Sequence, residues 1–262
     1  MKLLQGLTRR FALLAAIAVC AGFAPTANAQ KLTVAAAADL RFALDELGSH
    51  FRAAHPGVDL AITYGSSGNF FAQIQNGAPF DVFLSADVDY PKRLIAAGLA
   101  NRDSLFLYGV GRIVAWVPAG SPLDPAAVGI RVLEAASVRH IAIANPRHAP
   151  YGRAAEAALR SLGVYDQVSP KLVSAENVAQ AFEFVDSGAA EVGIVALSLA
   201  LAPAARGHGR YWEVPREAYP KIEQGGVILT RAPSGPAAQF RAFLLSAEAR
   251  RILKQYGFSA PQ

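Results

Sequence analysis

Two adjacent serines stand where the chain turns from a strand-like run into a helical one: Tyr64-Gly65-Ser66-Ser67-Gly68-Asn69-Phe70-Phe71-Ala72-Gln73-Ile74. A helix begins with backbone N–H groups that lack an intrahelical partner and with a partial positive charge. Two hydroxyls beside those groups form a neutral cradle suited to an oxyanion. Comparable starts follow Ala38-Asp39, lie within Asn145-Pro146-Arg147-His148-Ala149-Pro150-Tyr151-Gly152, and lie within Ser174-Ala175-Glu176-Asn177-Val178. Pro150 is placed as a first-turn proline. Ordinary capping by Ser, Asp or Asn accounts for any one of these starts taken alone. It is their repetition that points to a ligand. On the same reading Phe70 and Phe71 belong to the core, and His148 is a solvated side chain.

The elements that must position these starts alternate between strand and helix. Leu32 to Ala37 is a continuous apolar run, as in a strand buried on both faces of a parallel sheet. Leu40, Leu44, Leu47 and Phe51 then recur at helical spacing, with Asp39 predicted as the N-cap. Val58 to Tyr64, Val82 to Ser85, His140 to Ala144, Leu172-Val173, Val192 to Val195 and Gly225 to Leu229 read as further strands, and Gly111 to Pro118 as a longer one with a glycine hinge before it. Helices are predicted over Ser67 to Gln75, Pro91 to Ala97, Arg153 to Leu162 and Ala175 to Asp186, with two more between Ala237 and Tyr256. Such alternation marks a parallel α/β sheet. The pattern restarts midway, so two similar α/β halves are expected, joined near Gly111 and near Val214. Ligands in open α/β sheets sit beyond the carboxyl ends of the strands. Two helix starts from each half would therefore converge on a cleft between them.

Residues 1–29 have the form of an export leader. Lys2, Arg9 and Arg10 precede the apolar Phe11 to Phe23 and the small-x-small signal Ala27-Asn28-Ala29, which predicts a mature chain from Gln30. The single cysteine, Cys20, falls in that leader, so no disulfide and no thiolate ligand or nucleophile is expected in the mature fold. Three of the 25 basic residues and none of the 20 acidic ones lie in the leader. The mature chain is thus close to neutral, which excludes the electrostatic footprint of a nucleic-acid binder.

Taken in order, Leu32-Thr33-Val34-Ala35-Ala36-Ala37-Ala38-Asp39-Leu40, Gly65-Ser66-Ser67-Gly68, Gln73-Ile74, Gly77-Ala78-Pro79-Phe80-Asp81, Ser85-Ala86-Asp87, Ala149-Pro150-Tyr151-Gly152, Ala175-Glu176-Asn177-Val178, Gly193-Ile194-Val195 and Tyr256-Gly257-Phe258 resemble the periplasmic molybdate-binding proteins of ABC importers. The resemblance spans essentially the whole mature chain. It implies the α/β fold of a two-domain periplasmic binding protein (type II), with the ligand cleft between two α/β lobes: 30–110 plus 215–262, and 111–214. It also implies a periplasmic, monomeric receptor without cofactor or catalytic residues that hands molybdate or tungstate to a membrane permease. The oxyanion would be held by hydroxyls and backbone N–H groups, with no direct ligand to the metal. Carried over by position, Ser67 supplies a hydroxyl, Val178 a backbone N–H, and Tyr151 either a backbone N–H or its phenol. Ala38 and Asp39 occupy the first helix start.

Two positions depart from that pattern. Many members carry serine or asparagine at Asp39, and many carry a binding tyrosine at Ala196, a hydroxyl that Tyr151 could replace. A carboxylate against an oxyanion repels it, and burying it unpaired is costly. Asp39 therefore turns away to cap its helix, or is protonated, or the cargo is not a plain dianion. The first is the expectation. Phosphate, sulfate or a metal-containing cargo are the alternatives among binding proteins. A secreted hydrolase is the alternative among enzymes, although Gly65-Ser66-Ser67-Gly68 is not a Gly-x-Ser-x-Gly elbow.

Overall fold

The computed structural model describes residues 29–203, 205 and 207–261. The expected leader, Cys20 included, lies outside them except for Ala29. Ten strands run in chain order as β1 (Gln30–Ala37), β2 (Val58–Gly65), β3 (Val82–Ser85), β4 (Phe106–Gly111), β5 (Ile113–Pro118), β6 (Ile141–Ala144), β7 (Leu172–Ala175), β8 (Val192–Ala196), β9 (Gly209–Glu213) and β10 (Ile222–Ile228). The longer helices are α1 (Arg41–Ala54), α2 (Ser67–Gln75), α3 (Asp89–Ala96), α4 (Pro150–Ser161), α5 (Val178–Asp186), α6 (Ser234–Leu244) and α7 (Ala247–Gln255).

The strands form two five-stranded sheets with the orders β2-β1-β3-β10-β4 and β7-β6-β8-β5-β9. In the first, β1 pairs in parallel with β2 and β3, and β10 is antiparallel to β3 and β4. In the second, β6 pairs in parallel with β7 and β8, and β5 is antiparallel to β8 and β9. One plan is thus used twice, with the antiparallel strand borrowed from the other end of the half. The chain passes from one sheet to the other through Arg112 and returns between β9 and β10.

Burial explains why these runs became these elements. Leu32, Val34, Ala35 and Ala36 of β1 are all fully buried, as a strand covered on both faces requires. Helix α1 turns Ala43, Leu44, Leu47 and Phe51 inward, and Phe51 meets Phe240 of α6 edge to face at 5.1 Å. In the second lobe Trp116 packs against Phe182 at 4.5 Å. Each such side chain contributes about 1.5–3 kcal/mol through burial. Phe70 and Phe71 lie in a smaller cluster with Phe83 and Leu94, so the core reading of that pair is correct.

Several boundaries differ from the expectation. Strand β9 lies at a sheet edge with none of its residues fully buried and shows no continuous apolar run; β4 is apolar over Phe106–Tyr108 and mostly buried, and is not among the strands expected from the sequence. Strand β10 starts at Ile222, ahead of Gly225, where the pairing register with β4 shifts between Gln224 and Gly225. Helix α5 starts at Val178, because Ala175 still pairs in β7 and Asn177 is the cap.

Candidate functional site

The sequence-predicted site residues Ala38, Asp39, Ser67, Tyr151 and Val178 all line one small cavity where the two lobes meet. All five are almost fully buried. Ala38, Asp39 and Ser67 come from the first lobe, Tyr151 and Val178 from the second.

Three of the four helix starts leave a backbone donor at this cavity. In α2 the first intrahelical bond runs from Phe70 N to Ser66 O, and Gly68 N donates across the lobes to His148 O at 2.9 Å. That leaves Ser67 N–H ahead of the ladder. In α4, Gly152 N and Arg153 N both donate to Ala149 O, which leaves Tyr151 N–H. In α5 the Asn177 side chain accepts from Ala179 N and Gln180 N, which leaves Val178 N–H. These three groups sit at the positive ends of their helix dipoles. Ser67 adds a hydroxyl: its Oγ accepts from Ala86 N at 3.0 Å, so its proton remains to be donated. Among the described residues no group of three or more His, Cys, Asp or Glu side chains gathers as a metal site.

Asp39 departs from its expected role. It lies in the middle of a 3₁₀ turn, Ala38–Leu40, and its side chain caps no helix. The reason is local: the chain leaves β1 through this tight turn before α1 begins, so the carboxylate is carried past the helix end and toward the other lobe. There Oδ2 accepts from Tyr151 Oη at 2.9 Å and from Gln224 Nε2 at 2.6 Å. Oδ1 is buried and has no hydrogen-bond partner. Burial pushes the Asp39 carboxyl up to about 6, against the opposing pull of the Gln224 and Tyr151 hydrogen bonds. Burial, with the Asp39 charge beside it, also holds the Tyr151 phenol well above its ordinary range. Tyr151 therefore stays a donor, and its proton goes to Asp39.

Gln224 is the residue that sequence reasoning missed. It is fully buried, and its Nε2 also reaches Tyr151 Oη at 3.1 Å. It comes from the far end of the chain, with no local motif to mark it. Gly111 makes room for the group. A Cβ there would lie 2.1 Å from Tyr151 Oη and 2.8 Å from Gln224 Nε2.

The lobes touch around the cavity rim. Ser66 Oγ lies 2.9 Å from His148 Nδ1, so His148 is a bridging side chain, only partly solvated. Asn69 donates to Glu176, Arg153 pairs with Asp87 at 2.5 Å, and Arg41 pairs with Glu183 at 2.5 Å. Ser198 Oγ donates to Asp39 O at 2.7 Å. Exposed ion pairs such as these contribute at most about 1 kcal/mol each, so they register the two lobes more than they hold them.

Three comparisons bear on this geometry. A family model described as bacterial extracellular solute-binding protein matches residues 32–259. The molybdate-binding protein ModA of Rhodobacter capsulatus is 39% identical over 246 residues, covering 93% of this chain and 94% of the relative. That of Azotobacter vinelandii is 38% identical over 244 residues, covering 92% and 95%. The solved structure of the Azotobacter vinelandii periplasmic molybdate-binding protein superposes with a TM-score of 0.81 at 36% identity, covering 88% of this chain and 100% of that one.

Proposed function

This chain belongs to the bacterial extracellular solute-binding proteins, and from that premise we propose that it captures molybdate outside the inner membrane and delivers it to the permease of an ABC importer. Its work is binding, as in the molybdate-binding relatives, and no bond of the cargo is made or broken. The observation that carries this reading is the convergence of Ser67, Tyr151 and Val178, each the leftover donor of its own helix start, on one buried cavity between the lobes.

We place the contacts as follows. The Ser67 hydroxyl and N–H, the Tyr151 N–H and the Val178 N–H donate to the oxyanion, and Ala38 and Asp39 close the remaining side. Hydrogen bonds to an ionised acceptor are roughly twice as strong as neutral ones, and the dry site strengthens them further. Release then needs only that the lobes part. The lobes are 30–110 with 215–262, and 111–214, a division supported by the strands each sheet contains. Tungstate, which presents the same four oxygens and the same charge, is a second cargo. The receptor acts as a monomer in the periplasm after removal of its leader. No helix among the described residues is long and apolar enough to cross a membrane.

Asp39 constrains this reading. An ionised carboxylate about 4 Å from a dianion would oppose binding by roughly 8 kcal/mol at an effective dielectric constant near 20. Either the group carries a proton when the cargo is bound, or it accepts from a protonated oxyanion such as hydrogen phosphate. A melting-temperature panel separates the two. Ligand at 100 times its dissociation constant adds about 2.7 kcal/mol of stability. Molybdate and tungstate should raise the melting temperature, with little effect of sulfate or phosphate. A rise with phosphate and none with molybdate would overturn the assignment.

A further inference from the structure

Resting on molybdate as the cargo, we propose that Asp39 enters the complex as the neutral acid, with Oδ1–H donating to the oxyanion, so that each molybdate captured takes up one proton from water.

The geometry divides the two carboxyl oxygens between roles. Oδ2 accepts from Tyr151 Oη and Gln224 Nε2 and is occupied as an acceptor. Oδ1 is buried without a hydrogen-bond partner on a side chain that lines the cavity. A proton on this carboxyl therefore belongs on Oδ1. Placed there, it converts the one repulsive group of the site into a donor and satisfies the buried atom. Tyr151 Oη–H and Gln224 Nε2–H both point at Oδ2, so the acid proton on Oδ1 meets neither of them.

The surroundings favour the neutral acid. Tyr151 of α4 and Gln224 of β10 face the carboxyl directly. Tyr108 of β4 lies close enough to feel its charge and donates its own proton to Ser85 O at 2.9 Å. Tyr219, which precedes β10, acts on Tyr151 and meets Ile113 N. All are neutral, and no cation enters the balance at Asp39. Burial outweighs the hydrogen bonds that oppose it and leaves the group at about 6, so at pH 7.5 a factor of roughly 30 separates the ionised from the acid form before cargo enters. A bound dianion pushes the group further in the same direction.

Below about pH 6 the empty site already holds the proton, and affinity is level with pH. Above it, the proton must come from solvent with the cargo: MoO₄²⁻, one H⁺ and the ionised site give the protonated complex. The dissociation constant then rises by up to about tenfold per pH unit until the proton affinity of the complex itself is reached.

The test is calorimetry of molybdate binding to the wild-type protein at pH 7.5 in buffers of different ionisation enthalpy, with the dissociation constant followed from pH 6 to 8.5. The expected result is uptake of close to one proton per molybdate and weakening of up to about fiftyfold between pH 6 and 8. In Asp39→Asn the amide N–H replaces the acid donor, and both the proton uptake and the slope should vanish. Tight binding with no proton uptake and a level pH profile in the wild type would overturn the inference and leave the cargo assignment standing. No binding of molybdate at any pH would overturn the cargo assignment itself.

Discussion

Gly68 is where closure of the lobes can be tested without touching a proposed ligand donor. It is the second residue of α2, and its N–H donates to His148 O across the lobes at 2.9 Å. A Cβ at this position would stand 2.5 Å from His148 O and 2.9 Å from both His148 Cα and Cβ. The nearest obstacle is backbone, which cannot swing aside as a side-chain tip could. Forcing an extra methyl into such a contact costs about 1–3 kcal/mol. Losing the crossing hydrogen bond adds about 0.5–1.5 kcal/mol. If binding requires the lobes to meet as they do here, Gly68→Ala should weaken molybdate binding by roughly tenfold to a thousandfold. The same change should not harm the first lobe: the glycine is not in the left-handed region, and alanine is the better helix former by up to about 1 kcal/mol. Titration calorimetry with molybdate, paired with thermal melting of the ligand-free protein, reads both effects. Wild-type affinity in Gly68→Ala would refute the link between this contact and capture.

Removing the Ser67 hydroxyl should cost about 1.5–3 kcal/mol, or roughly tenfold to a hundredfold in molybdate affinity, since a charge-assisted bond is lost while Ala86 N loses its acceptor; Ser67→Ala measured by calorimetry checks it. Val178→Pro deletes one N–H at a first-helical position that proline tolerates, after an extended Asn177. A similar fall in affinity is expected with helix α5 intact by circular dichroism, and unchanged affinity would remove Val178 from the site. Tyr151→Phe takes a donor from Asp39 Oδ2. The carboxyl should then hold its proton more tightly, and the pH at which molybdate affinity begins to fall should move upward from about 6; a downward move would contradict the assigned hydrogen bond.

The helix starts were legible because their chemistry is local. Ser66-Ser67-Gly68, Pro150-Tyr151-Gly152 and Asn177-Val178 each announce an end of strand and a first helical turn within a few residues, and the structure gathers all of them at one cavity. The alternation of strand and helix likewise located most of both sheets. What stayed hidden depends on the other lobe or on distant chain. Gln224 meets Asp39 across 185 positions of sequence, and nothing near Gln224 signals a buried amide. Asp39 was expected to cap α1 because aspartate before a helical stripe usually does; the intervening 3₁₀ turn, which no residue pattern marked, carried it to Tyr151 instead. Strand β9 was missed because none of its residues is fully buried and it shows no continuous apolar run; β4 was overlooked although Phe106-Leu107-Tyr108 is apolar and the strand is mostly buried. The close approach at Gly68 is a property of two surfaces meeting, and the sequence of one surface cannot express it.

In the proposed reading, neutral donors from both lobes hold a tetrahedral group-six oxyanion. Titration calorimetry of the mature protein, stripped of bound anions, with molybdate, tungstate, sulfate and phosphate in turn at pH 6, where about half of the empty sites already hold the Asp39 proton, tests this most directly. One molybdate or one tungstate per chain should bind tightly, with sulfate and phosphate weaker by orders of magnitude. Saturable binding of phosphate or sulfate with no heat from molybdate would contradict the account.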